Sequence, residues 1–168
     1  KGSILNKKRV GIVGVGNVGA TLAFTLATKN ICSKLLLKDV RENFVQAMAL
    51  DISQATNAAK SKTIVQACLN DKDFKDCDVI IITAGIARKP GMSRNDLLLT
   101  NAKIMTSVID NIIPYNQNSI IIIVSNPLDV MVYTALKASN WSRNKIIGMA
   151  GILDSARMAH FIFEKLGY

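Results

Sequence analysis

Gly14-Val15-Gly16-Asn17-Val18-Gly19 spaces three glycines as G-x-G-x-x-G, directly after the apolar run from Arg9 to Val13. In that setting Gly14 permits a tight turn, Gly16 lets the backbone approach a pyrophosphate, and Gly19 lets the following helix pack closely on a sheet. The free N–H groups and dipole of a helix that starts here attract phosphate charge. Asp39 closes the next apolar run, at the distance expected of a carboxylate that accepts hydrogen bonds from the 2′ and 3′ hydroxyls of an adenosine ribose. Such a carboxylate repels a 2′-phosphate, so the pattern points to NAD over NADP, with Lys38 and Arg41 pulling the other way. The alternative is a bare strand-to-helix turn with a surface aspartate, which leaves the full G-x-G-x-x-G setting unexplained.

Three further groups of polar residues follow apolar runs. Thr83-Ala84-Gly85 leads into a Pro/Gly-containing loop, Ala87 to Arg94, that carries Arg88 and Arg94. Two guanidinium groups on such a loop suit a lid over an anion, because paired hydrogen bonds to a carboxylate strengthen once water leaves. A solvated basic loop fits the same residues. Val124-Ser125-Asn126-Pro127 ends another run with an amide that can donate and accept, and its Asn126–Pro127 bond is a candidate cis peptide. A plain strand-ending turn is the alternative there. Asp154 and Arg157 lie three apart and share a helical face; an ordinary capping aspartate beside an arginine fits equally well.

The elements that must position these residues alternate from end to end. Strands are expected over Arg9 to Val13, Lys34 to Asp39, Thr63 to Ala67, Asp78 to Thr83, Ser119 to Val124 and Lys145 to Gly148. Helices are expected over Val18 to Lys29, Arg41 to Asn57, Ser93 or Asp96 to Ile113, Leu128 to Ser139 and Leu153 to Leu166. Contiguous apolar runs such as Leu35-Leu36-Leu37 are what strands covered on both faces require. Strand and helix in alternation imply an α/β fold: a doubly wound, Rossmann-type parallel sheet of about six strands with helices on both faces. Ligands of such sheets bind beyond the carboxyl ends of the strands, which is where the polar groups above fall. There is no internal repeat and no linker, so residues 1–168 read as one dinucleotide-binding domain.

Composition bounds the rest. The 168 residues are 49% apolar with 20% charged, the profile of a globular protein. No apolar stretch approaches the length of a membrane-spanning helix, and no membrane partner is expected. The net charge of +9 raises nucleic acid as a partner, but the basic residues are scattered apart from Lys7, Lys8 and Arg9 and the Arg88, Lys89 and Arg94 group. Few aromatics interleave with them, so no nucleic-acid binding is expected. Cys32, Cys68 and Cys77 are odd in number and lack metal-ligand spacing; they read as reduced structural thiols of an intracellular protein. Lys1 stands where an initiator Met would, which leaves room for residues upstream, a removed targeting segment included.

Taken together, the glycine fingerprint, Thr83-Ala84-Gly85, the arginine loop, Ser125-Asn126-Pro127 and Leu153-Asp154-Ser155-Ala156-Arg157 resemble the lactate/malate dehydrogenase family over the whole chain. The likeness is greatest to the lactate-dehydrogenase-like malate dehydrogenases. The resemblance implies that Gly14, Val15, Gly16, Asn17, Val18, Gly19 and Asp39 hold NAD, with Thr83, Ala84, Gly85, Asn101, Val124, Ser125 and Asn126 adding cofactor contacts. It implies that Arg157 clamps the substrate C1 carboxylate, that Arg94 polarises the reacting carbonyl, and that Asn126 positions its oxygen. Arg88 would pair with the second carboxylate of malate or oxaloacetate, where family members acting on lactate generally carry glutamine. Asp154 matches the aspartate that orients the family's acid–base histidine.

That histidine belongs to a Gly-x-His-Gly-Asp segment expected beyond Tyr168. His160 lacks the flanking motif and reads as structural or interfacial. The expectation is therefore a fragment that lacks the family's second domain, binds NAD and catalyses poorly or not at all by itself. Its parent is expected to be a cytoplasmic homodimer or homotetramer acting on a dicarboxylate in the tricarboxylic acid cycle. A lactate dehydrogenase and a stand-alone NAD-binding module remain the alternatives.

Overall fold

The computed structural model describes residues 8–167, so Lys7 and Tyr168 lie outside the described residues. Six strands form one sheet: β1 (Arg9–Val13), β2 (Lys34–Lys38), β3 (Ile64–Ala67), β4 (Val79–Ile82), β5 (Ile120–Ile123) and β6 (Ile146–Gly148). Five helices accompany them: α1 (Asn17–Thr28), α2 (Glu42–Ala58), α3 (Arg94–Ile112), α4 (Leu128–Ser139) and α5 (Gly151–Leu166). The spatial order is β3-β2-β1-β4-β5-β6 and every neighbouring pair is parallel, as the alternation of strand and helix implies. Strand order reverses between β1 and β4. That is the crevice at which doubly wound sheets take ligands.

The two faces of the sheet carry separate cores. Ile12, Leu35, Leu37 and Ile81 pack with Ala23 and Ala27 of α1 and Val45, Ala49 and Ile52 of α2. Leu36, Ile80, Ile82, Ile121 and Ile123 point the other way, onto Met105, Ile109 and Ile112 of α3 and Met131 and Ala135 of α4. Successive strand residues alternate between the two clusters because the side-chain period of a strand is two. This is why the central strands need uninterrupted Ile, Val and Leu. The three cysteines are free and buried, and burial pushes the Cys77 thiol up to about 12.

Element ends differ from the expected ones by a residue or two. β3 begins at Ile64 because the Thr63 hydroxyl turns inward and donates to the Cys32 carbonyl at 2.6 Å. α5 begins at Gly151, two residues early, so Asp154 sits within its first turn and Ala150 is the cap. Asp154 is therefore not itself the cap. No residue of α5 is buried, and Ile152, Met158, Phe161, Phe163 and Leu166 are each at least 60% exposed. No helix among the described residues is long and apolar enough to cross a membrane.

Candidate functional site

Strand register brings the polar groups to one level. Val13 lies opposite Lys38 on one side and Ile82 on the other, and Ile82 lies opposite Ile123. The residue after each strand therefore stands at the same height: Gly14, Asp39, Thr83 and Val124. The ladder extends one step past the strands, with Gly14 N–H donating to the Lys38 carbonyl (2.8 Å), Thr83 N–H to Val13 (2.9 Å) and Val124 N–H to Ile82 (2.9 Å). Four segments far apart in sequence thus form one rim.

At the centre of that rim the three glycines answer three different demands. Gly14 has φ +91°, and a Cβ there would stand 2.5 Å from the Ala84 amide nitrogen. A Cβ on Gly19 would strike the Gly14 carbonyl oxygen and come within 2.8 Å of Thr83 Oγ1. These two are required by packing between β1, α1 and the end of β4. A Cβ on Gly16 would meet nothing within 4 Å. Gly16 is the N-cap of α1, no side chain caps that end, and the first turn contains no acidic residue. α3 shows the opposite arrangement: Ser93 Oγ accepts from Asp96 N–H at 3.0 Å and Asp96 accepts from Ser93 N–H at 3.1 Å, a reciprocal capping box that closes its start. The α1 terminus is left open with N–H groups facing outward over free space, a cradle that fits the diphosphate of a dinucleotide.

Asp39 is fixed beside this cradle. Its Oδ2 accepts from Val15 N–H at 2.7 Å, and its side chain is only 6% exposed. Arg41 grips the same carboxylate three times: backbone N–H and Nε donate to Oδ1 at 3.0 Å each, and Nη2 donates to Oδ2 at 3.1 Å. Burial pushes the Asp39 carboxyl upward, but the hydrogen bonds from Arg41 and Val15 together outweigh it and hold the group below its ordinary value. The guanidinium also lies 4.0 Å from the centre of the Phe44 ring. The sequence showed Arg41 only as a nearby cation. The i, i+2 spacing across a strand end is the one signal that could have pointed to the pair.

Asn101 brackets the two remaining loops. It is buried in α3, its Oδ1 accepts from Ile86 N–H at 2.9 Å, and its Nδ2 donates to the carbonyls of Ile86 (3.2 Å) and Asn126 (2.8 Å). The root of the arginine loop is thus tied to Asn126, whose bond to Pro127 is cis. The hydroxyls of Thr83 and Ser125 are spent inside the rim, Thr83 on the Gly14 carbonyl (2.6 Å) and Ser125 on the Ala84 carbonyl (2.5 Å). The one donor of each hydroxyl is thus used, which leaves their acceptor lone pairs and the backbone for any ligand. Beyond its root the loop is exposed. Arg88 turns back to donate from Nε to the Met92 carbonyl at 3.0 Å, and Arg94 opens α3 in solvent.

The structure does not bring Asp154 and Arg157 into this cluster. They pair with each other at 3.2 Å on α5, with both side chains more than 60% exposed. His160 lies on the same helix, 3.5 Å from Glu164. Among the described residues, no group of three or more His, Cys, Asp or Glu side chains is placed to hold a metal.

A parallel sheet ordered 3-2-1-4-5-6, with an open glycine cradle and a fixed carboxylate at its switch point, defines a dinucleotide-binding α/β domain. Residues 8–148 match the family model described as lactate/malate dehydrogenase, NAD binding domain. The chain belongs to that family, with its NAD-binding domain over residues 8–148. It is 68% identical over 164 residues to a malate dehydrogenase of Aliarcobacter butzleri, covering 98% of this chain and 52% of that one. Among solved structures, the apo malate dehydrogenase from Picrophilus torridus superposes with a TM-score of 0.91 at 38% identity, covering 96% of this chain and 51% of that one. The malate dehydrogenase from Archaeoglobus fulgidus in complex with NADH superposes with a TM-score of 0.89 at 34% identity, over 93% and 53%. The chain spans about half the length of the relatives it matches.

Proposed function

We propose that this chain supplies the cofactor half of an NAD-dependent malate dehydrogenase, which interconverts malate and oxaloacetate. NAD, when bound, accepts a hydride from the substrate or, in its reduced form, returns one. In this reading the N–H groups of Gly16 to Gly19 and the α1 dipole bind the diphosphate, and Asp39 takes the adenosine ribose hydroxyls. The wall is made by Thr83, Ala84, Gly85, Asn101, Val124 and Ser125. Asn126 orients the reacting oxygen, and Arg94 stabilises the charge that grows on it. Arg157 binds the C1 carboxylate, and Asp154 orients a proton-carrying histidine from outside residues 1–168. His160 is given no such role, because its Nε2 faces Glu164.

The observation that carries the cofactor assignment is the open α1 start beside the immobilised Asp39 carboxylate. Arg88 carries the choice of substrate. Its guanidinium stands on an exposed loop whose root Asn101 ties to Asn126, which supports a cation near the oxygen-binding amide. A second carboxylate satisfies that cation, whereas a methyl group leaves it desolvated and unpaired. The parent is further taken to be a cytoplasmic homo-oligomer of the tricarboxylic acid cycle that binds neither nucleic acid nor membrane. The scatter of the basic residues and the scarcity of aromatics among them support the exclusion of nucleic acid. The exposed apolar side chains of α5 support association.

Steady-state rates of the full-length protein with oxaloacetate and with pyruvate test the substrate assignment. The expected result is a strong preference for oxaloacetate, which Arg88→Gln lowers by roughly 100-fold or more in the ratio of kcat/KM values. A wild-type preference for pyruvate contradicts it.

A further inference from the structure

The Asp39 carboxylate has no acceptor position to spare. A carboxylate offers about four in-plane lone-pair sites. Here Val15 N–H and Arg41 Nη2 occupy Oδ2, while Arg41 N–H and Arg41 Nε occupy Oδ1. Two of the four donors are backbone groups held by the β1 turn and by the chain between β2 and α2. The other two belong to one guanidinium whose side chain is 54% exposed, and these are the bonds that can exchange. Lys38, the other cation near Asp39, is occupied elsewhere: its Nζ lies 2.7 Å from Asp71 Oδ1. The Phe44 ring, 4.0 Å from the guanidinium carbon, offers Arg41 a resting face beside the carboxylate when those bonds open.

We propose that Arg41 sets the cofactor specificity of the ribose subsite by competing with the ribose hydroxyls for Asp39 and by offering a 2′-phosphate a cationic partner in the same place. This rests on the assignment of Asp39 to the adenosine ribose. With NAD, the hydroxyls must displace the guanidinium, and the exchange costs affinity. With a 2′-phosphorylated dinucleotide, the freed guanidinium pairs with the phosphate and offsets the repulsion from Asp39. The Asp39–Arg41 pair therefore makes this chain more tolerant of NADP than a lone aspartate would be.

Calorimetric titration of the chain with NAD+ and with NADP+ tests this on wild type, Arg41→Ala, Arg41→Lys and Asp39→Ala. Arg41→Ala is expected to bind NAD+ about threefold tighter, in line with the release of an exposed ion pair, and NADP+ about tenfold more weakly or worse. The ratio of the NADP+ to the NAD+ dissociation constant then rises by at least about 30-fold, while thermal stability stays near wild type. Arg41→Lys, which keeps the charge but loses the planar fork, is expected to fall between. An unchanged or smaller ratio in Arg41→Ala overturns the proposal. Asp39→Ala separates this from the underlying assignment: unchanged NAD+ affinity there removes the ribose assignment itself, whereas weakened NAD+ binding upholds it whatever Arg41→Ala does.

Discussion

A methyl group placed on Gly14 would stand 2.5 Å from the Ala84 nitrogen, whereas one placed on Gly16 would meet no atom of the chain. Gly14 is held by the fold, through its positive φ and the crowding of β4. The fold leaves Gly16 free, and its backbone is extended, with φ −74° and ψ −162°, where alanine is at ease. Gly14→Ala is expected to destabilise the chain by about 3 kcal/mol or more. Gly16→Ala is expected to change stability by less than about 0.5 kcal/mol, yet to weaken NADH binding by roughly tenfold or more. Thermal melts with a binding isotherm on each variant check the contrast, and equal effects on stability contradict it. The spacing of these glycines and the presence of Asp39 were legible in the sequence. The grip of Arg41 on Asp39 and the bracket formed by Asn101 were not, because residue type states what a side chain can bond and only the folded path states what it meets. Thr83 and Ser125 make the same point: their types allow donation to a ligand, and their hydroxyls donate to carbonyls inside the rim instead.

At the scale of elements, the sequence was most legible where apolar runs were continuous. β4 and β5 are unbroken runs of Val and Ile, so no alternation was needed to place them, and each begins and ends within one residue of expectation, although Ile120 of β5 is exposed. Helix starts were harder to locate, because a start is fixed by caps that involve only two or three residues. The Ser93–Asp96 box settles the choice left open for α3, which starts at Arg94. The exposure of α5 was not legible at all. Its Phe, Ile, Met and Leu residues follow helical periodicity as if one face were covered, yet none is buried among the described residues. A helix without burial is held by its own hydrogen bonds and little else, and sixteen residues are marginal for that. In the monomeric 168-residue chain, α5 amides are expected to exchange hydrogen at least about 100-fold faster than those of β1, β4 and β5. Mass-resolved exchange on peptides of each element checks this, and α5 protection equal to that of β4 contradicts it.

For the whole molecule, the strand order and the rim are one fact seen twice. Because the chain reverses direction across the sheet between β1 and β4, the loops after β1 and β4 diverge, and the open start of α1 faces the gap between them. Parallel register then lifts Asp39, Thr83 and Val124 to the same level. The residues proposed to hold the cofactor share this rim, whereas of those proposed for the substrate (Arg88, Arg94, Asn126, Asp154 and Arg157) only Asn126 is tied into it. The central claim is that a dinucleotide lies across the strand tips with its diphosphate on the turn from Gly14 to Gly19. Amide chemical-shift mapping of the isotope-labelled chain during titration with NADH tests it most directly. The largest shifts are expected at Gly14 to Gly19, at Asp39 to Arg41 and at Thr83 to Gly85, saturating together. No shift at millimolar NADH, or shifts confined to another face of the sheet, would contradict it.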